Sequence, residues 1–293
     1  MRVAVIDVGS NTVRLLVSER RAGRIESVRE ARSLLLLGQE IERRGSLSAP
    51  KLAETRRCAY HLSTLAREAG AARLEVVVTA PGRQSGNADE LVRVLSETTA
   101  APVRVLSPDE EGRLAWDGAV SAAAELAPTL AVCDVGGGST ELLVGTPEGG
   151  PAWTRSLDIG CLRLTERLLD RDPPGKEGMR AVGAELAAAF EGLTVPLPQA
   201  AMATGGTARA LKKLVGARLG EDELAAAVRR LTKRSAREIA RSASVDRERA
   251  RTLPAGVLIL AEVQRLLRTP LVVSAAGLRE GVTLTLLAES AAA

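Results

Sequence analysis

At 293 residues, 45% hydrophobic and 26% charged, the chain has an ordinary globular composition and enough length for one large domain or two ordinary ones. Its core must be aliphatic, because Trp116, Trp153, Tyr60 and Phe190 are its only aromatic residues, and its single histidine, His61, excludes His-rich metal centres and argues against a histidine-based triad. The net charge of +4 favours an anionic partner, from nucleic acid to phosphate-bearing compounds. Cys58, Cys133 and Cys161 are scattered and odd in number, which fits neither a metal motif nor a disulfide framework. A Walker-type phosphate loop is absent, as are a secretory leader and any stretch long enough to span a membrane, so cytoplasm is the expected location.

In chain order the first feature is an internal repeat. Residues 3–17, VAVIDVGSNTVRLLV, align without gaps on residues 130–144, LAVCDVGGGSTELLV, with eight of fifteen positions identical. Each copy reads as an apolar strand, an Asp-Val-Gly turn and a second apolar strand. After the first copy the spacing predicts a helix over 50–69, a strand over 74–79, a helix near 88–98, a strand over 103–106 and a helix from 108 to about 126. After the second, helices are expected near 160–170 and 176–191, a strand over 199–203 and several helices between 205 and 267. A strand over 271–274 and a helix from Leu278 close the chain. Strands alternating with helices predict an α/β fold, and two similar halves predict two lobes with a cleft between them, 1–126 and 127–293.

The two turns carry the chemistry. Small residues after an Asp let backbone N–H groups point at an anion, and the carboxylate can hold a hydrated cation or a water. Asp7-Val8-Gly9-Ser10-Asn11-Thr12 and Asp134-Val135-Gly136-Gly137-Gly138-Ser139-Thr140-Glu141 both fit, and opposed loops can hold both ends of a pyrophosphate. Each alone would read as a plain tight hairpin. A third small-residue loop, Thr204-Gly205-Gly206-Thr207, lies between a strand and a helix, whose N-terminus favours anions.

These residues resemble the exopolyphosphatase and guanosine pentaphosphate phosphohydrolase (Ppx/GppA) family of the actin, sugar-kinase and Hsp70 superfamily. The resemblance covers nearly the whole chain. It runs through Asp7 to Thr12; Thr79, Arg83 and Asn87; Pro108 to Leu114; Asp134 to Glu141; Ser156, Gly160 and Arg163 to Glu166; and Leu278 to Gly281. It implies two actin-like (ribonuclease H-like) lobes and release of orthophosphate from the end of inorganic polyphosphate. The alternative is removal of the 5′ γ-phosphate of guanosine pentaphosphate; a superfamily phosphotransferase and a non-catalytic polyphosphate-binding regulator are more remote.

The resemblance also implies roles. Glu111 matches the general base for the attacking water, with Glu110 the less favoured neighbour. Asp134 and Glu141 match Mg²⁺ ligands, with Asp7 a further ligand or water-holder and K⁺ an activator to consider. Arg83 is expected on a phosphate, where a guanidinium forks onto oxygens. Ser10, Asn11, Thr12, Gly137, Gly138 and Ser139 are expected to cradle terminal phosphates, and Thr207 and Arg279 are weaker candidates. A homodimer is implied, with neither nucleic acid nor membrane as partner. Pro108 and Gly112 depart from the family's usual glycine and alanine without removing a reactive group. The chain ends soon after Leu278–Gly281, which matches the short form without an added helical domain and leaves processivity open. The Lys and Arg residues that dominate the segment from Arg209 to Arg251 read equally as a track for a polyanion or as solvated helix faces.

Overall fold

The computed structural model describes residues 1–292. The chain divides into two compact units: Met1–Gly118, which the chain rejoins from Leu278 onward, and Ala119–Gly277. The first unit contains β1 (Arg2–Val8), β2 (Thr12–Arg21), β3 (Arg24–Leu34), α1 (Leu37–Arg44), α2 (Ala49–Glu68), β4 (Arg73–Val78), α3 (Ala80–Gln84), α4 (Ala88–Thr99) and β5 (Val103–Val105). Helix α5 (Pro108–Ser121) runs across the boundary. The second unit contains β6 (Leu130–Val135), β7 (Thr140–Thr146), β8 (Gly150–Leu157), α6 (Cys161–Leu168), α7 (Lys176–Phe190), β9 (Ala200–Thr204) and α8 (Gly205–Val215). It continues through β10 (Arg218–Leu219), α9 (Glu221–Leu231), α10 (Ala236–Ala243), α11 (Arg247–Leu267) and β11 (Leu271–Val273), and α12 (Leu278–Ala292) closes the chain.

The repeat in the sequence is a repeat of architecture. The first sheet has the order β3-β2-β1-β4-β5, and the second β10-β11-β9-β6-β7-β8. Without the two-residue β10, order and directions coincide. The first three strands of each unit form an antiparallel meander, and the next two pair in parallel beyond its first strand.

Alternation along β1 explains why the first sheet is covered twice. Ala4, Ile6 and Val8 enter a core with Leu52, Ala59 and Leu62 of α2 and Leu91 and Leu95 of α4. Val3 and Val5 point the other way, into a core with Leu114 of α5 and Leu278, Val282 and Leu286 of α12. That second core is why the closing helix belongs with the first unit, where the expected division at residue 126 had kept it with the second. In the second unit Ala131, Cys133 and Val135 of β6 pack with Leu164 of α6, Leu211 of α8 and Leu253, Val257 and Leu260 of α11. No helix among the described residues is long and apolar enough to cross a membrane.

Candidate active site

The two Asp-Val-Gly turns are built alike to the level of single hydrogen bonds. Gly9 N–H donates to Thr12 O at 3.1 Å, and the equivalent Gly136 N–H donates to Ser139 O at 3.0 Å. In each unit the segment after the third strand then ties down the loop's carbonyls. Gly38 N–H donates to Ser10 O, and the N–H groups of Leu35 and Leu36 donate to Asn11 O. Likewise Cys161 N–H donates to Gly136 O, and those of Leu162 and Arg163 donate to Gly137 O. The second set also satisfies the first orphan donors of α6. With carbonyls bound on one side, the amide dipoles of both loops face the other, the arrangement that suits an anion.

The fit around the second loop is close. A Cβ on Gly160 would fall inside 3.0 Å of Gly137 O, Gly137 C and Gly138 N, so only glycine lets α6 approach. Thr140 closes the loop by donating its hydroxyl to Ile159 O at 2.5 Å. Ser10, Asn11 and Ser139 are buried. The Asn11 Oδ1 has no hydrogen-bond partner among the described residues.

A polar row crosses the second sheet at this level. Asp134 pairs in register with Glu141, Glu141 with Ser156, and Asp134 on its other side with Thr204. Directly opposed residues share a sheet face with Cβ atoms about 5 Å apart. Asp134 and Glu141 are 9% and 2% exposed. Ser156 Oγ donates to Glu141 Oε1 at 2.9 Å and orients that carboxylate. Gly205, at φ +85°, abuts Asp134 Oδ1 where a Cβ would clash. Burial first, and then the charges of Asp134 and Glu141, push the Cys133 thiol far above its usual range. Among the described residues no group of three or more His, Cys, Asp or Glu gathers as a metal cage. Two buried neighbouring carboxylates fit Mg²⁺, which takes one or two carboxylates and completes its shell with water and phosphate oxygens.

In the first unit the two glutamates of α5 separate by role. Ser107 N–H donates to Glu110 Oε2 at 2.8 Å, and Glu110 N–H donates back to Ser107 Oγ at 3.2 Å, a capping box at the helix start. Glu110 is therefore taken up by the cap. Glu111 is 6% exposed, and its Oε2 lies 2.8 Å from Arg83 Nη1. Arg83 also donates to Leu106 O at 2.7 Å. So Arg83 meets the carboxylate beside it. Asn87 bonds Leu47 through backbone N–H and C=O, and also Ser85 and Glu90, so it braces loops.

Two weaker candidates are buried and bonded within the fold. Thr207 is fully buried, its hydroxyl directed at Cys161 Sγ and its methyl against Gly256. Arg279 is 5% exposed and donates to Leu15 O and Glu30, joining α12 to the first sheet. Conversely, Arg249 had been counted only among the basic residues. Its guanidinium crowds Gly206 at the third small-residue loop, where a Cβ would sit 2.6 Å from Nη2. Nothing in sequence spacing could have signalled that approach.

Two α/β units of one topology, each with an anion-facing Asp-Val-Gly loop, define the class as an actin-like fold built to handle phosphate groups. The Ppx/GppA phosphatase family model matches residues 16–290, and the chain belongs to that family of hydrolases. "Exopolyphosphatase 2" of Mycobacterium tuberculosis is 29% identical, over 97% of this chain and 98% of that protein. "Exopolyphosphatase 1" of Mycobacterium leprae is 31% identical, over 74% of this chain and 66% of its own length. The crystal structure of the Aquifex aeolicus Ppx/GppA family member superposes with a TM-score of 0.83 at 27% identity, over 99% of this chain and 98% of that one. An exopolyphosphatase from Cytophaga hutchinsonii superposes with a TM-score of 0.90 at 20% identity, over 99% of this chain and 98% of that one, which bears on the fold alone.

Proposed function

We propose that the chain is an exopolyphosphatase that hydrolyses the terminal phosphoanhydride of inorganic polyphosphate and releases orthophosphate. The observation that carries the mechanism is the sorting of two adjacent glutamates: Glu110 caps a helix, while Glu111 is buried beside Arg83. Water attacks the terminal phosphorus, Glu111 takes its proton, and the bond to the bridging oxygen breaks with its electron pair left on the shortened chain. A phosphate oxygen arriving at Arg83 competes with Glu111 for the guanidinium, so substrate itself frees the base. The amides of Ser10, Asn11 and Thr12 and of Gly137, Gly138 and Ser139 bind phosphate oxygens. Asp134 and Glu141 would hold Mg²⁺, and Asp7 orders water. Bound Mg²⁺ supplies neutralisation of charge on the phosphate oxygens. A cytoplasmic location and a homodimer accompany this reading on the strength of the resemblance.

The test is orthophosphate release with Mg²⁺ from polyphosphate and from guanosine pentaphosphate, side by side. Release chiefly from polyphosphate is expected, and Glu111→Gln should lower it by about 10² to 10⁴ without loss of folding. Release chiefly from guanosine pentaphosphate would move the protein to the alternative substrate. Unchanged release by Glu111→Gln would sink the base assignment, and transfer of phosphate from ATP to an acceptor would replace hydrolysis with phosphotransfer.

A further inference from the structure

Residues 209–251 carry thirteen Lys and Arg against six Asp and Glu, a net +7 in a chain whose total is +4. The structure shows how that excess stays unneutralised. Glu223 accepts from Gly220 N–H, Glu238 closes a capping box with Ser235, and Asp246 accepts from Arg249 N–H at the start of α11. Glu248 pairs with Arg251. Four of the six acids are thus used inside the fold. Arg229, Lys233, Arg234, Arg237, Arg241 and Arg247 are exposed and make no ion pair among the described residues. Arg237 and Arg241 stand one turn apart on α10, about 6 Å along its axis, and Arg234 precedes the N-cap. A cleft of about 100 Å³ beside them is lined by Arg171, Arg234 and Arg251 but also by Asp170 and Asp172, so its charge is mixed. From Arg229 to Arg241 six Lys and Arg stand against one acid, the exposed Glu238, which lies within the field of Arg234 and Arg241.

We infer that the exposed face running from the C-terminal end of α9 through the turn into α10, residues 229–241, holds a linear polyanion and, granted the exopolyphosphatase reading on which this rests, that the polyanion is the distal part of a long polyphosphate. On this inference a three-phosphate chain does not engage the face. A net +5 over residues 229–241, with no aromatic residue among them to stack a base, suits phosphate repeats better than nucleotides.

The test compares the wild-type chain with the triple variant Arg234→Gln/Arg237→Gln/Arg241→Gln, and with a control, Arg20→Gln/Arg24→Gln/Arg57→Gln, that removes the same charge from exposed positions in the first unit. Binding of long polyphosphate is measured in EDTA, and release from long and three-phosphate chains with Mg²⁺. The face variant should lose about tenfold in long-chain affinity, with KM for long chains raised about tenfold, three exposed contacts each worth roughly a factor of two. Its salt dependence should flatten, and its kcat and three-phosphate kinetics should stay those of wild type. Equal losses in the control would reduce the effect to net charge and overturn the inference, as would unchanged long-chain binding in the face variant. Binding of poly-uridylate RNA as tight as polyphosphate, lost in the same variant, would overturn polyphosphate as the occupant. If wild type releases no phosphate from any polyphosphate, the functional reading fails, and the EDTA binding still decides whether the face holds a polyanion.

Discussion

Gly160→Ala separates a rigid catalytic loop from an adaptable one. Gly160 has φ −130° and ψ 157°, which alanine adopts freely, so any effect comes from the new methyl. That methyl would need about 0.8 Å of movement to reach a 3.0 Å separation from Gly137 O. The obstruction is backbone, held by the Cys161, Leu162 and Arg163 N–H groups, and cannot rotate aside. Overpacking of this kind costs about 1–3 kcal/mol. A displacement near 1 Å at reacting groups costs about 10² in rate. Gly160→Ala should therefore lower kcat for phosphate release about a hundredfold and lower Tm by several degrees. Gly183→Ala in α7 is the control: its Cβ meets nothing within 4 Å, and it should be neutral or stabilise by up to about 1 kcal/mol. Thermal melts and phosphate release on both variants suffice. Wild-type kcat in a folded Gly160→Ala would show that the loop yields without consequence, and the argument for a fixed anion cradle would fail.

Three further outcomes are expected. Glu110→Ala should cost about 0.5–2 kcal/mol through the lost cap and leave phosphate release near wild type. The backbone N–H of Ser107, then its hydroxyl, hold Glu110 below its usual range; the stabilisation is in place above 4.5 and lost on acidification, so melts of variant and wild type should converge below that pH. Burial raises the Asp117 carboxyl, with Arg113 partly opposing it. The folded state then binds the proton more tightly than the unfolded one, stability falls as pH rises through the folded value, and Asp117→Asn should raise Tm at pH 7 and flatten that fall. EDTA should abolish release and Mg²⁺ restore it, and Ser156→Ala should weaken the Mg²⁺ requirement curve by about 10–100-fold by freeing Glu141.

The hairpins were legible because their apolar strands and Asp-Val-Gly turns are local, and locality is what a sequence shows. Strand β3 was not, since its charged sequence lies mostly exposed at the sheet edge and carries no apolar alternation. The attachment of α12 to the first unit was hidden for a different reason: position along the chain places it last, while its apolar face finds β1. Glu110 and Glu111 look interchangeable in sequence until Ser107 claims one of them. Arg83 was readable as a residue for phosphate, but its approach to Glu111 depends on how α3 meets α5.

The two hairpins share their scaffold and differ at one decisive register position. In the first, Asp7 stands opposite Arg14, which stands opposite Arg32, so the aspartate's charge is matched by the chain itself. In the second, Asp134 stands opposite Glu141, and beyond that is the neutral Ser156. Two like charges about 5 Å apart repel by about 3 kcal/mol at an effective dielectric of 20, and the burial of this pair reduces the help water can give. A hairpin of the first kind can order a water with no cation. One of the second kind is stabilised by a bound cation, and the same ion is attracted to the charge of a phosphate end. On the proposed reading, glutamate in place of arginine at a single ladder position is what suits the second hairpin, and not the first, to hold Mg²⁺.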